Sequence, residues 1–333
     1  PPDTDPVIDE PAVVELIHQK AASSGHSRVV ALGALTAGLR GEHLSEMHAL
    51  KQAGCIGLSN SRSPVENSQV LKRAFAYAAT FDMRVFIEPD EHTLSIGGCA
   101  HDGKIATRLG LKGIPVSAET IAIARALELV AETGVRAHFG RLSSAQSVEM
   151  IARAKNEQLP VTADVSAHQL HLNEQDISSF NSSYHVIPPL RTLRDQEALN
   201  RAIEDNTIDA ICSDHQPHDI DAKQSPFAST KPGISSLETL LPLCLRLSEQ
   251  SALPVNEVIG KITDAPANIL GIDAGHLSVG AAADICIYDD NEDWRLTADH
   301  IYSKGKNTPF LGWNLQGKVK YTVINGEVLF DGK

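Results

Sequence analysis

A short apolar stretch that ends in acidic and imidazole side chains is the most chemically suggestive part of this sequence. Residues 207–218 read Thr-Ile-Asp-Ala-Ile-Cys-Ser-Asp-His-Gln-Pro-His, so Asp214, His215 and His218 directly follow a run of strand length. In α/β barrels, functional side chains lie at the carboxyl ends of buried parallel strands. Asp214 is therefore a candidate catalytic or metal-binding carboxylate. Asp and His after a strand also form turns and begin helices, and spacing alone leaves both interpretations open.

Strand and helix signals alternate over most of the chain and would place such side chains at one end of a sheet. The predicted strands lie near residues 28–32, 55–58, 84–87, 135–139, 161–165 and 208–213. The predicted helices cover residues 10–22, 42–52, 65–79, 118–132 and 145–156 and begin again near 236, with a C-cap at Gly134 and a capping box at Ser143 and Gln146. This alternation favours a parallel sheet with helical crossovers. About six strands are found where a closed barrel needs eight, so the chain is expected to begin after the second strand.

The pattern changes after residue 272. Residues 275–288 and 319–330 alternate apolar and polar side chains around Gly and Asn-Gly turns, which predicts antiparallel hairpins. The chain has no internal repeat to explain either pattern.

Composition excludes several classes of protein. The 333 residues are 42% hydrophobic, enough for a substantial core, and the formal net charge of -13 argues against nucleic acid or an anionic membrane as a partner. We see no apolar run of the roughly 18 residues that a membrane helix needs. The five cysteines include no C-x-x-C pair, which favours buried thiols and a reducing cytoplasm.

The motif around Asp214 is similar to one in a known family. The residues Ser213-Asp214-His215-x-Pro217-His218, together with Pro188-Pro-Leu-Arg191 upstream, resemble the dihydroorotases of the amidohydrolase superfamily over essentially the whole chain. The resemblance implies a TIM-like (β/α)8 barrel over residues 1–272, lacking its first two strands in this chain. It also implies that residues 273–333 form the C-terminal portion of a small β-sandwich.

The resemblance further implies a set of zinc ligands, most of which this sequence replaces. After a His-x-His pair on strand one, the family uses an acid after strand four, histidines after strands five and six, and the aspartate after strand eight. Here the acid positions carry Asn60 and Ser61, and the histidine positions carry Glu88 and Arg141. A guanidinium stays protonated in proteins and offers no lone pair to a metal. Only Asp214 is retained, so no metal or other cofactor is predicted.

The family's substrate contacts are only partly retained. His218 and Gly233 match, whereas Asp3 and Ile187 stand where the family has asparagines. A site that recognises polar groups loses several kcal/mol when its partners are removed. Other histidines near the strand ends, among them His168 and His171, are interpreted as structural or solvated rather than as ligands.

Two functions remain to be distinguished. In the first, the protein is a catalytically inactive dihydroorotase-like subunit in which Arg141 pairs with Glu88, Asp214 or both. The family includes inactive bacterial homologues that assemble with aspartate transcarbamoylase, so the implied partner is that enzyme's catalytic chain in a hetero-oligomer. In the alternative, the protein is an active zinc-dependent dihydroorotase or related cyclic amidohydrolase, binding one metal through an upstream His-x-His, Asp214 and Glu88. Arg141 would then have to bind an anionic substrate.

Overall fold

A six-stranded parallel sheet is the centre of the fold in the computed structural model, which describes residues 1–332. Its six strands all correspond to strands predicted from the sequence, and their bounds are Ala31–Ala34 (β1), Cys55–Ser59 (β2), Arg84–Ile87 (β3), Ala137–Phe139 (β6), Val161–Ser166 (β7) and Ala210–Cys212 (β8). They stand in the order β1-β2-β3-β6-β7-β8. Two further short strands, β4 (Ala100–His101) and β5 (Gly113–Ile114), pair with each other.

Helices connect the strands and cover the sheet. They are α1 (Pro11–Ser24), α2 (Met47–Gln52), α3 (Ser68–Thr80), α4 (His92–Ser95), α5 (Lys104–Leu109), α6 (Val116–Thr133), α7 (Ala145–Asn156), α8 (Leu193–Glu204), α9 (Leu237–Gln250), α10 (Val255–Gly260) and α11 (Asp264–Leu270). The core includes the fully buried Phe75, Phe139, Leu58 and Ile151, where helices meet strands. None of the helices between residues 1 and 332 combines the length and the apolar character that crossing a lipid bilayer demands.

Two local predictions were wrong at the start of a helix. The helix expected over 42–52 begins only at Met47, because the preceding residues bond back to the strand end: the Ser45 N–H donates to the Leu35 carbonyl at 3.1 Å. Helix α7 is capped by Ser144, whose hydroxyl accepts the Ser147 N–H, rather than by Ser143. The left-handed C-cap predicted at Gly134 is confirmed.

The C-terminal residues form a three-stranded antiparallel sheet in the order β11-β10-β9. Its strands are β9 (Ile285–Arg295), β10 (Asn314–Ile324) and β11 (Glu327–Asp331), and the predicted Asn-Gly turn joins the last two. The hairpin predicted over 275–288 was wrong, because only the residues from Ile285 onward are strand and they pair with β10. Along the chain, α9, α10 and α11 come after the last strand of the parallel sheet and before β9. The domain boundary at residue 272 stays a prediction.

Candidate active site

The carboxyl ends of three parallel strands bring Glu88, Arg141 and Asp214 together. Glu88 follows β3 directly, and Arg141 and Asp214 each come two residues after the end of their strands, β6 and β8. The Arg141 Nη1 lies 3.0 Å from the Asp214 Oδ1, and its Nη2 contacts the Glu88 Oε2. The pairing predicted from the sequence is therefore present, and it involves both acids.

The Arg141 guanidinium is a permanent positive charge in this cluster. Its side chain is 12% exposed and that of Asp214 is 9% exposed, so solvent screens the pair poorly. Burial alone would lower the pKa of Arg141, but the nearby Asp214 and Glu88 carboxylates outweigh it and raise the pKa above its ordinary value. Arg62, with its Nε 3.8 Å from the Glu88 Oε2, adds a second cation at the rim.

The positions equivalent to the family's acid after strand four have local structural tasks. The Asn60 Oδ1 accepts the Thr36 hydroxyl at 2.8 Å, and its Nδ2 donates to the Ser63 carbonyl at 2.8 Å. Ser61 has a left-handed backbone with φ of 50°, and its N–H donates to the Ser59 hydroxyl. Asn60 therefore organises the loops after β1 and β2, and its amide oxygen already has partners.

The predicted substrate contacts fall into separate places. His218 and Gly233 lie in one loop cluster around Asn307, which accepts the His218 N–H at 2.7 Å and donates to the Gly233 carbonyl at 3.0 Å. The His218 Nε2 lies 2.8 Å from the Pro232 carbonyl oxygen. Asp3 is exposed on the loop before α1, whereas Ile187 is half-buried.

A cavity of about 230 Å³ opens beside the charged cluster. Its lining includes Ser61, Glu88, Arg141 and Ile187, so it gathers four of the residues singled out from the sequence; His218 and Gly233 are not part of it. Four prolines, Pro64, Pro89, Pro188 and Pro189, contribute to a mainly apolar wall.

Sequence reasoning missed a second set of residues directly beneath Arg141. Asp164, on β7, accepts the Arg141 N–H at 2.7 Å and contacts the His138 Nε2 at 2.8 Å. Cys212 donates its thiol hydrogen to the same carboxylate, at 3.3 Å. The available signal was an acid in the middle of a predicted buried strand, because a buried carboxylate must have partners.

The residues present do not fit a zinc site. Within residues 1–332 no three His, Cys, Asp or Glu side chains converge in a way that could hold a metal ion. Glu88 and Asp214 face the Arg141 guanidinium, which supplies the positive charge that a cation would otherwise bring. A metal ion there would be repelled by the guanidinium.

Comparison with known proteins places the chain in a family. A model described as dihydro-orotase-like matches residues 2–147, and one described as the amidohydrolase family matches residues 91–329. A dihydroorotase-like protein of Pseudomonas aeruginosa is 46% identical over 332 residues, which is 100% of this chain and 78% of the relative. A dihydroorotase of Geobacter sp. is 39% identical, covering 99% of this chain and 77% of the relative.

Solved structures show the same fold at lower identity. An L-hydantoinase from Arthrobacter aurescens superposes with a TM-score of 0.86 at 23% identity, over 98% of this chain and 75% of the other. A dihydroorotase from Saccharomyces cerevisiae, in complex with 5-fluoroorotic acid, gives 0.75 at 16% identity, over 96% and 87%. The parallel sheet is thus that of a TIM-like amidohydrolase barrel, and the antiparallel sheet is part of the C-terminal β-sandwich. By sequence and by fold, this chain belongs to the dihydroorotase-like amidohydrolases.

Proposed function

We propose that this chain is a non-catalytic dihydroorotase-like protein of pyrimidine biosynthesis, acting as a structural or assembly subunit for aspartate transcarbamoylase. The observation that carries the proposal is the Arg141 guanidinium, which contacts Glu88 and lies 3.0 Å from Asp214. The family resemblance puts zinc ligands at these three positions. A permanently charged guanidinium therefore lies where the resemblance puts the zinc ions that the family's chemistry needs.

A guanidinium cannot replace zinc in the hydrolysis of a cyclic amide. Hydrolysis of a cyclic amide needs a strong nucleophile, which amidohydrolases obtain from water activated by zinc. Arginine stays protonated and cannot activate water or polarise a carbonyl as a metal ion does. Asp214, the best candidate for a general base, is paired with Arg141 and also accepts the Gln216 side-chain amide at 2.7 Å.

The substrate contacts support the same conclusion. Ile187 offers no hydrogen bond, and Asp3 puts a negative charge, the same sign as that of dihydroorotate, where the family has a neutral asparagine. The relatives from Pseudomonas aeruginosa and Pseudomonas putida, 46% and 45% identical, carry the name dihydroorotase-like protein. The role in assembly comes from the family resemblance, whose inactive bacterial members associate with aspartate transcarbamoylase.

Zinc content and activity test the loss of catalysis. The full-length protein, purified with zinc present, is expected to contain less than one zinc ion per chain and to leave dihydroorotate unhydrolysed. A dihydroorotase with intact ligands, treated in the same way, is the control. One or two ions per chain with hydrolysis would favour the active-enzyme alternative instead. Unchanged stability of Arg141→His would contradict the role of the guanidinium as the cation that compensates Glu88 and Asp214.

Assembly needs a separate test. We expect the full-length protein, co-expressed with the aspartate transcarbamoylase catalytic chain of the same organism, to elute with it as one hetero-oligomer. Light scattering on a size-exclusion column gives the mass of the complex, and the catalytic chain expressed alone is the control. Separate elution of the two proteins at micromolar concentration would refute the assembly role and leave the zinc result unaffected.

A further inference from the structure

A hydrogen-bonded chain of side chains runs through the interior of the parallel sheet beneath Arg141. Thr162 and Asp164 are two residues apart on β7 and therefore share one face of the strand. His138, on the adjacent β6, bridges them: its Nδ1 lies 2.9 Å from the Thr162 Oγ1 and its Nε2 lies 2.8 Å from the Asp164 Oδ2. Arg84, on β3, contacts the other end through its Nη1, 2.9 Å from the same Thr162 hydroxyl.

The hydrogen bonds of this network can all be donated in one direction, from Arg84 towards Asp164. Arg84 only donates, so the Thr162 hydroxyl accepts its N–H and is free to donate its own hydrogen to the His138 Nδ1. Burial by itself would raise the pKa of Asp164, but the hydrogen bonds from His138 and the Arg141 N–H outweigh burial and lower it. Asp164 is therefore a carboxylate that only accepts, and His138 carries its hydrogen on Nε2.

Asp164 also meets the backbone of Arg141. Its Oδ1 accepts the Arg141 N–H at 2.7 Å, and the Arg141 backbone has a left-handed φ of 58°. That conformation is unfavourable for a residue with a β-carbon, and it persists only where its surroundings impose it. The guanidinium that reaches Glu88 and Asp214 starts from this backbone.

We infer that Asp164, oriented by His138 and Thr162, is a positioning residue that holds Arg141 in its left-handed backbone and thereby seats the guanidinium between Glu88 and Asp214. The inference does not rest on the proposed function, because it concerns how Arg141 is held and not whether the chain hydrolyses a substrate. It assigns a task to a buried acid and histidine that contribute no metal ligand in this structure.

Accessibility of arginine side chains to phenylglyoxal tests the inference in the full-length protein. In Asp164→Asn one carboxylate oxygen becomes an NH2 group, so the two bonds accepted from the His138 Nε2–H and the Arg141 N–H cannot both survive. We expect Arg141 to be modified at least about tenfold faster, the scale set by loss of support for a left-handed residue. Mass spectrometry of proteolytic peptides gives the rate at each arginine.

Two other arginines are internal controls. Arg191, 2% exposed and paired in a separate buried cluster, is expected to stay protected, whereas Arg62, 43% exposed, is expected to react at an unchanged rate. Cys212→Ser keeps a donor to the Asp164 carboxylate and is expected to leave Arg141 protected. An unchanged rate at Arg141 in Asp164→Asn would overturn the inference.

A milder variant keeps the test decisive if Asp164→Asn disturbs folding. Thr162→Val preserves the shape of the side chain but removes the hydroxyl from the far end of the chain. We expect a smaller acceleration at Arg141, together with partial loss of the His138 Nε2–H tautomer in ¹⁵N NMR spectra. Equal acceleration at Arg141 and Arg191 in both variants would mean that Asp164 only stabilises the fold, and the inference would fail.

Discussion

At the scale of single residues, the Arg141 guanidinium compensates the negative charges of Glu88 and Asp214. Replacing it by methionine removes the cation and leaves Glu88 and Asp214 facing each other, with side chains 26% and 9% exposed. Leaving a buried charge without its partner costs about 3–5 kcal/mol. We therefore expect Arg141→Met to lower the free energy of unfolding by that amount, measured by urea denaturation at neutral pH.

A surface pair gives the matched control for this substitution. Arg136 lies 2.9 Å from Asp82, but the two side chains are 44% and 78% exposed. Exposed pairs of this kind contribute about 0–1 kcal/mol, so Arg136→Met should change stability little. Equal effects of the two substitutions would show that Arg141 does not compensate buried charge.

His168 shows the opposite situation, a buried polar group with nothing to bond. Within residues 1–332 neither of its ring nitrogens has a hydrogen-bond partner, and the residue is 1% exposed. Burial lowers its pKa to about 4; Asp214 opposes this effect and Arg141 adds to it. Because removal of an unsatisfied buried group costs little or is favourable, we expect His168→Leu to be at least as stable as the parent at pH 7.

The same histidine makes stability depend on pH. Its unfolded form takes up a proton near pH 6.5, while the folded form stays neutral down to about pH 4. The unfolded state therefore binds more protons in this window, and stability falls as the pH is lowered from 6.5 to 4, by roughly 3 kcal/mol for this residue. Urea denaturation over this range should show a shallower decline in His168→Leu. Parallel curves for the two proteins would contradict the low pKa.

At the scale of elements, one acid organises the start of two helices. The Asp195 Oδ1 accepts the Ala145 N–H in the first turn of α7 at 3.0 Å, and its Oδ2 accepts the Thr192 N–H at the N-cap of α8 at 3.1 Å. A single lost cap costs about 1 kcal/mol, and an orphaned buried N–H adds to that. We expect Asp195→Ala to cost about 2–3 kcal/mol in urea denaturation.

An ordinary cap serves for comparison. Asn67 accepts the Gln69 N–H at 2.9 Å at the exposed start of α3 and serves no second helix. Asn67→Ala should cost about 1 kcal/mol, so the difference between the two variants measures the link between α7 and α8. If both variants lose the same stability, Asp195 serves only its own helix.

The same helices show what local sequence can and cannot predict. Helix α7 has the predicted bounds, 145–156, because its apolar positions repeat at the helical period. Its cap was misassigned by one residue, because Ser143 donates instead to Glu119, 24 positions earlier in the sequence. Two adjacent serines look equally suitable from the sequence, and both contact Glu119, so only the backbone path in the folded structure makes Ser144 the cap.

At the scale of the whole molecule, the C-terminal sheet packs on α9 at Gly317. This glycine has φ of 84°, and a β-carbon there would lie 2.2 Å from the Leu245 Cδ1. Gly326, in the β10–β11 turn, has nearly the same φ of 83° but open space around it. The two positions therefore separate backbone strain from crowding.

We expect Gly326→Ala to cost about 1 kcal/mol, the penalty of a left-handed alanine. Gly317→Ala should cost about 2–4 kcal/mol, because overpacking against Leu245 adds to the same backbone term. Differential scanning calorimetry would give both values and would show whether the antiparallel sheet unfolds together with the barrel. Equal destabilisation by the two substitutions would mean that α9 yields to the sheet without strain.

The sequence by itself determined the strands of the parallel sheet and the position of Asp214 at a strand end. Both depend on short apolar runs and their borders, which are local properties of the chain. It also determined that Arg141 carries a permanent charge, since a guanidinium stays protonated in any environment.

The family resemblance predicted that this charge pairs with Glu88, Asp214 or both, and only the tertiary structure showed that it contacts both. Arg141 and Asp214 are 73 positions apart, and neither their 3.0 Å contact nor the support of Arg141 by Asp164 has a local sequence signal. From the sequence, His168 could not be told from other histidines near strand ends; the fold buries it with no hydrogen-bond partner among residues 1–332. Such contacts arise where strand ends distant in sequence converge, so they depend on the fold as a whole and not on any one segment.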